Sequence, residues 1–208
     1  MFYMVKTPGW LRKLYKNCVW ELPGRGNVIY LTFDDGPHPE ITDFVLDQLA
    51  VFNAHATFFC IGKNVVAHPQ VYQRILAGGH AVGNHTFNHF NGWKTASDVY
   101  LADIGEAQKY IDSTLFRPPY GRITRFQLAL IKNKRFNLTP VMWTVLSGDF
   151  DQKISAEKCL QNVLKHTEAG SIVVFHDSEK AWDRLKFSLP LVLAHFAEKG
   201  YRFEKMGY

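Results

Sequence analysis

Short apolar runs rich in β-branched and aromatic residues recur along the chain. Each is followed by a longer stretch whose apolar positions keep helical spacing. Val28-Ile29-Tyr30-Leu31-Thr32-Phe33 predicts a buried strand, and Pro39-Glu40 opens a helix with Ile41, Phe44, Val45, Leu46 and Leu49 at helical intervals. Ala56 to Ile61 reads as a second strand, and Pro69 to about Ala77 as a helix stopped by Gly78-Gly79. The run His80-Ala81-Val82-Gly83 precedes a helix from about Ser97 to Ser113. Leu115-Phe116-Arg117 is a brief strand, and Thr124 to about Lys132 is helical. Thr139 to Val145 reads as one strand. Ser155 caps a helix running to about Thr167, with Lys158 where a capping-box Glu would sit. Ser171 to Phe175, a helix from Leu185 to Lys199 closed by Gly200, and a last strand from Tyr201 to Lys205 complete the pattern.

About seven strand–helix repeats with near-continuous apolar strands are the pattern of a parallel sheet covered on its faces. No Gly-x-Gly-x-x-Gly follows any of the strands, so a dinucleotide-binding sheet has little support. The polar residues choose between an open sheet and a barrel. Asp34-Asp35, His85 and His89, Arg117, Asp149 and His176 all fall just after strands, so in a barrel they converge on one rim. The expected fold is therefore α/β: a distorted, incomplete (β/α) barrel of about seven parallel strands. It forms one domain over residues 1–208, with an N-terminal extension at 1–27 and the barrel at 28–205.

The two carboxylates of Asp34-Asp35-Gly36-Pro37 leave a strand in different directions. One can bind a cation while the other faces water. His85-Thr86-Phe87-Asn88-His89 has the i, i+4 spacing that sets two imidazoles on one side of a helical turn. Two His and one carboxylate leave positions open on a divalent metal, as a catalytic site needs.

Thr32-Phe33-Asp34-Asp35-Gly36-Pro37, His85-x-x-x-His89, Arg117-Pro118-Pro119-Tyr120-Gly121 and Val173-Val174-Phe175-His176-Asp177 resemble, in order, four motifs of the polysaccharide deacetylase family. This is the NodB-homology group, carbohydrate esterase family 4. The resemblance spans about residues 28 to 205. It implies a distorted barrel and metal-dependent removal of acetyl groups from sugars, usually N-acetylglucosamine polymers such as chitooligosaccharide or peptidoglycan. It places the metal on Asp35, His85 and His89. Zinc is the usual ion, and cobalt or other divalent ions can substitute. Asp34 becomes the general base, His176 the general acid, and Arg117 the group that orients Asp34. The Tyr120 backbone N–H is then an oxyanion donor, with Pro119, Phe150 and Trp143 among the substrate-binding positions.

The stretch Trp143-Thr144-Val145-Leu146-Ser147-Gly148-Asp149-Phe150 departs from the pattern. The resemblance predicts an Asp at Leu146, to pair with the acid histidine, and a Trp at Phe150. Either Asp149 or another acid replaces that carboxylate, or His176 works untuned. Asp177 is expected to cap the turn after His176.

Composition narrows the function classes without choosing among them. Lys and Arg outnumber Asp and Glu by 24 to 19, and no basic run marks a nucleic-acid site. No stretch reaches the roughly 18 apolar residues of a membrane span. Cys18, Cys60 and Cys159 form neither a zinc knuckle nor a disulfide framework. The aromatic share of 14% fits core filling first and sugar stacking second. The start of the chain lacks an apolar signal core, which points to the cytoplasm, whereas a wall-directed substrate points to the envelope. The expected partner is an acetylated glycan, with no nucleic acid. Two other readings stand beside the deacetylase: a hydrolase of another non-peptide amide or imide, and an inactive carbohydrate-binding module.

Overall fold

The computed structural model describes residues 3–24, 26–134 and 136–207. Its elements run α1 (Gly9–Leu14), β1 (Val28–Asp34), α2 (Ile41–Val51), β2 (Thr57–Cys60), α3 (Gly62–Ala67), α4 (Pro69–Ala77), β3 (Ala81–Asn84), α5 (Ser97–Ala107) and β4 (Leu115–Phe116). A 3-10 turn at Pro119–Gly121 precedes α6 (Arg125–Ile131), β5 (Thr139–Pro140), β6 (Val145–Leu146), α7 (Ala156–His166), β7 (Ile172–His176), α8 (Trp182–Glu198) and β8 (Arg202–Phe203). The strands follow the order β5-β4-β3-β2-β1-β7-β6, with β8 on the lower half of β1, and the pairs are parallel. Seven strands along one curled path make the expected incomplete barrel.

The central strand β1 is buried at every position because it has two apolar surroundings. Ile29, Leu31 and Phe33 face the helices and join the large core with α2, α7 and α8, and Phe33 stacks on Phe58 at 5.1 Å. Val28 and Tyr30 face inward with Phe59, Leu115, Val141, Ile172 and Met206. Alternation then carries Thr32 and Asp34 up the inner face to the rim. Register does the rest. Asp34 lies opposite His176 on β7, and Asn84 on β3 opposite Phe116 on β4, so His85 and Arg117 emerge side by side.

Several boundaries differ from expectation. The strand foreseen at Thr139 to Val145 is two short strands on different edges. Pro140 has no N–H to extend a ladder. Beyond it the N–H groups change partner: Val141 donates to Phe116, Met142 to Val19 and Thr144 to Ile172. The chain thus leaves the β4 edge and crosses the open side of the barrel to reach β7. The N-terminal segment covers that crossing. Val19 N–H donates to the Pro140 carbonyl at 2.8 Å, Thr7 N–H to Thr144 at 2.9 Å, and Leu146 N–H to the Val5 carbonyl at 2.8 Å. The helix expected from Ser97 to Ser113 ends at Ala107, where Gln108 turns its side chain to the Phe136 carbonyl at 3.0 Å. Short α3 was not foreseen in the sequence. The three cysteines are buried thiols, and among the described residues no helix is long and apolar enough to cross a membrane.

Candidate metal centre and its cleft

Asp34 and Asp35 do turn opposite ways. Asp34 is buried, and its Oδ1 accepts from Arg117 Nη1 at 2.7 Å. Arg117 is fully buried under the rim. It also donates to Thr32 Oγ1 at 2.7 Å and to the carbonyls of Val141 and Met142, with its guanidinium 4.1 Å from the Phe59 ring centroid. Planar, delocalised charge suits this position: every edge has an acceptor and the face rests on a ring.

Asp35 has φ 83, in the left-handed region that side chains avoid, and its surroundings hold it there. Asn64 on α3 donates to the Asp35 carbonyl at 2.7 Å, and the next N–H, that of Gly36, donates to Asp177 Oδ1 at 2.9 Å. Asp177 also accepts from Thr42 at 2.5 Å. It does not cap the turn after His176 as expected. It braces the Asp35 loop, sitting where a Gly36 side chain would have to be.

His85 and His89 meet with ring centroids 5.0 Å apart, but not on a helical turn. The segment is a loop with left-handed Thr86 and His89. Asn84 Oδ1 accepts the Thr86 N–H, Thr86 Oγ1 accepts the His89 N–H at 2.9 Å, and Asp103 on α5 accepts from the Phe87 and Asn88 N–H groups. His85 Nδ1 is bound to the Arg117 carbonyl at 2.7 Å, so Nδ1 carries the proton and Nε2 presents a lone pair. Burial first, and then neighbouring His89, lower the His85 pKa to about 4, which keeps the ring neutral.

These residues fit a divalent cation. Asp35 Oδ1 is 3.2 Å from His89 Nε2 and 3.7 Å from His85 Nε2, and the three ligand atoms lie within 4.8 Å of one another. Asp35 Oδ1 is a buried oxygen with no hydrogen-bond donor, an orphan that a cation would satisfy. Burial would raise this carboxyl, but His89, His176 and His85 outweigh it and hold it well below the usual carboxylate range.

Across the cleft, His176 Nδ1 is 2.8 Å from Asp149 Oδ1, while Asp149 Oδ2 accepts the His176 backbone N–H at 2.7 Å. Asp149 therefore supplies the carboxylate expected at position 146, where Leu146 is a buried wall residue. Its loop is tied by Asn162, which donates to the Ser147 carbonyl at 2.9 Å, and by Arg184, which donates to the Asp149 carbonyl at 2.6 Å. Burial opposes charge on His176, but Asp149, with Asp35 and Asp34 behind it, raises its pKa to about 9.

The cluster opens into a cleft of about 710 Å³. Tyr120, Trp143 and Phe150 line it. Tyr120 is left-handed at φ 61, with its ring 4.6 Å from that of His89, and Phe150 stands edge-on to His176 at 5.2 Å. Pro119 is buried beneath the turn and does not line the cleft. Sequence reasoning missed Asn64, Asp103 and Arg184, which support the site, misassigned Asp177, and missed Tyr3, whose ring lies 5.1 Å from Phe150. The Asn, Asp and Arg residues are polar positions inside otherwise apolar helical patterns or beside a motif, a signal open to closer reading. Tyr3 carried no such signal.

A family model described as polysaccharide deacetylase matches residues 22–138. A peptidoglycan-N-acetylglucosamine deacetylase of Bacillus cereus is 32% identical over 189 residues, covering 88% of each chain. A chitooligosaccharide deacetylase of Azorhizobium caulinodans is 36% identical over 156 residues, 72% of this chain and 73% of the relative. The crystal structure of the Bc1960 peptidoglycan N-acetylglucosamine deacetylase, in complex with 4-naphthalen-1-yl-N-oxidanyl-benzamide, superposes with a TM-score of 0.85 at 30% identity. It covers 96% of this chain and 95% of that one. With a family model matched over more than half its length and a fold shared almost end to end, the chain belongs to the polysaccharide deacetylase family.

Proposed function

We propose that this chain is a zinc-dependent deacetylase of N-acetylated sugars in an oligo- or polysaccharide. The observation that carries this reading is the pairing of a three-ligand cluster, Asp35, His85 and His89, with two proton carriers beside it that are held by different partners. Asp34 is fixed by Arg117 and His176 by Asp149. Membership of the family and the named activities of its relatives support the same reaction class.

Asp35 Oδ1 and the Nε2 atoms of His85 and His89 would hold the ion. When bound, it supplies Lewis acidity toward the acyl oxygen and makes water a better nucleophile near neutral pH. The chain's own residues do the rest. Asp34, whose Oδ1 is occupied by Arg117, takes the proton from the attacking water through its other oxygen. The backbone N–H of Tyr120 is assigned to the developing oxyanion. His176, with Nδ1 committed to Asp149, delivers the proton from Nε2 to the sugar nitrogen as the C–N bond breaks. The products are acetate and the free amine. Val174, Leu146 and Phe150 give the cleft an apolar floor against which an acetyl methyl can rest.

The test is acetate release from N-acetylglucosamine oligomers and from peptidoglycan by metal-stripped protein and by protein reloaded with zinc or cobalt. Zinc-restored release is expected. Absence of metal-dependent release across that panel overturns the reading.

A further inference from the structure

Two aromatic–cation pairs stand on opposite sides of the metal cluster, and the reaction described above uses neither cation. On the β3–β4 side, Trp93 is pinned. Its indole Nε1–H donates to the Ile123 carbonyl at 3.0 Å and its backbone N–H to Asn91 Oδ1 at 3.0 Å. The Arg122 guanidinium lies over the ring, 4.7 Å from the centroid, yet Trp93 remains 56% exposed. On the β6–β7 side, Lys180 Nζ is 5.9 Å from the centroid of Phe150, the ring that walls His176. The sheet order puts these sides either side of β1, which ends at Asp34 with Asp35 in the loop that follows. All four residues line the same cleft.

The carboxylates of the cleft have neighbours other than these two cations. Asp34 is bound to Arg117, Asp177 accepts from Gly36 and Thr42, Glu179 lies 3.7 Å from His38, and Asp35 belongs to the metal set. Among the described residues, Arg122 and Lys180 have no carboxylate partner. An indole held rigid by hydrogen bonds but open to solvent offers a stacking face to a pyranose at little ordering cost. A cation beside that face favours a ring that carries a carboxylate. A neutral homopolymer of N-acetylglucosamine has nothing for either cation. An alternating glycan meets both, if its acetylated residue at the metal is flanked on each side by a lactyl-ether sugar bearing a carboxylate or an acidic peptide.

We propose that Trp93 with Arg122, and Phe150 with Lys180, are two flanking subsites that read carboxylate-bearing sugars, so that the substrate is such an alternating acidic glycan. This rests on the deacetylase reading above. The experiment compares kcat/KM for acetate release from an N-acetylglucosamine–N-acetylmuramic acid tetrasaccharide and from chitotetraose. It uses zinc-loaded wild type, Arg122→Met, Lys180→Met, the double variant and Trp93→Ala. The wild type should favour the acidic glycan. The double variant should lower the acidic-to-neutral ratio about tenfold, mainly through KM, and remove most of the salt dependence of that ratio. Trp93→Ala should weaken both substrates together. Calorimetric binding of the acidic tetrasaccharide to metal-free protein should weaken in parallel in the double variant, with thermal melts confirming that it folds. A ratio blind to both cations, or a wild-type preference for chitotetraose, overturns this proposal and leaves the deacetylase reading standing. No metal-dependent release from either glycan overturns both.

Discussion

Asp149 grips His176 twice, one carboxylate oxygen on ring Nδ1 at 2.8 Å and the other on the backbone N–H at 2.7 Å. The double contact fixes both the tautomer and the position of the ring, which leaves the opposite nitrogen for the proton transfer in the proposed reaction. Burial works against the imidazolium, but Asp149 outweighs it and raises the pKa to about 9. The donor form therefore persists through neutral pH and is lost as pH rises through about 9. Asp149→Asn keeps the shape and removes the charge. Its pH–rate profile should show the alkaline limb displaced to lower pH, with kcat near neutrality down by roughly 10²-fold. The same sign holds for stability. A raised histidine stabilises the fold below its unfolded value of about 6.5, and that contribution fades as pH climbs through the folded value. Leu146→Ala should leave the alkaline limb in place. An unmoved limb in Asp149→Asn would mean that Asp149 does not tune the acid.

The same residue shows what the sequence could and could not reveal. Strand alternation and the motif residues placed Asp34, Asp35, His85, His89, Arg117 and His176 at one rim, because each follows a strand whose apolar pattern is unambiguous. Asp149 was among the alternatives, yet only tertiary geometry shows that a loop three residues past β6, tied by Asn162 and Arg184, folds back to reach His176. The i, i+4 histidines misled for a similar reason. Spacing suggests a helix, but Asn84, Thr86 and Asp103 offer the backbone better partners in a loop. The N-terminal segment is the largest gap. Its isolated bridges to Val141, Val145 and Ser171 are non-local, and no period in the sequence announces them.

Under the proposed reaction, Asp34 and His89 separate chemistry from metal binding. Asp34 hydrogen-bonds Arg117 and is not one of the three clustered ligands, whereas His89 is. Asp34→Asn should cut turnover by about 10²-fold or more while elemental analysis finds wild-type zinc content. His89→Ala should lose zinc and activity together. Near-normal turnover in Asp34→Asn would remove it from the role of base.

Arg117 is a stability residue as much as a site residue. It is completely buried, with donors committed to Thr32, Asp34, Val141 and Met142. Truncation to Ala leaves the Asp34 carboxylate buried beside unpaired carbonyls, a change that costs about 3–5 kcal/mol when one member of a buried pair is removed. Arg117→Lys supplies a point charge in place of the fork and should recover only part of that loss. Chemical denaturation of the metal-free protein measures both, and a shift below about 1 kcal/mol for Arg117→Ala would contradict this account.

Gly36 has no room for a side chain. A Cβ there runs into the Asp177 carboxylate, which is itself held by Thr42 and the Gly36 N–H. Gly36→Ala must push Asp177 or the Asp35 loop aside. It should cost roughly 1–3 kcal/mol and weaken zinc binding, since Asp35 is the neighbouring ligand. Asp177→Ala makes room but strands two donors, so it too should destabilise, by about 1–3 kcal/mol. The two substitutions touch the same atoms, and their combination should cost less than the sum of the singles. Additive losses would show that the two side chains do not share this space.

The N-terminal segment closes the open side of the barrel, and its removal should be felt at the acid side of the cleft. Val5 accepts the Leu146 N–H, Thr7 donates its hydroxyl to the Trp143 carbonyl at 2.8 Å, and Val19 exchanges hydrogen bonds with the 140–142 stretch. Tyr3 then sets its ring against Phe150, which in turn abuts His176. Deleting residues 1–21 uncovers the Thr139–Leu146 crossing with its backbone groups unpaired, an edge that invites association. Lower thermal stability and concentration-dependent aggregation by light scattering are expected. Tyr3→Ala tests the finer point without opening the barrel. Phe150 loses one supporting ring, so KM for the glycan should rise severalfold and kcat should fall less, while zinc content and melting temperature stay near wild type. If Tyr3→Ala leaves KM unchanged, the segment acts only as a seal for the barrel and not as part of the cleft wall.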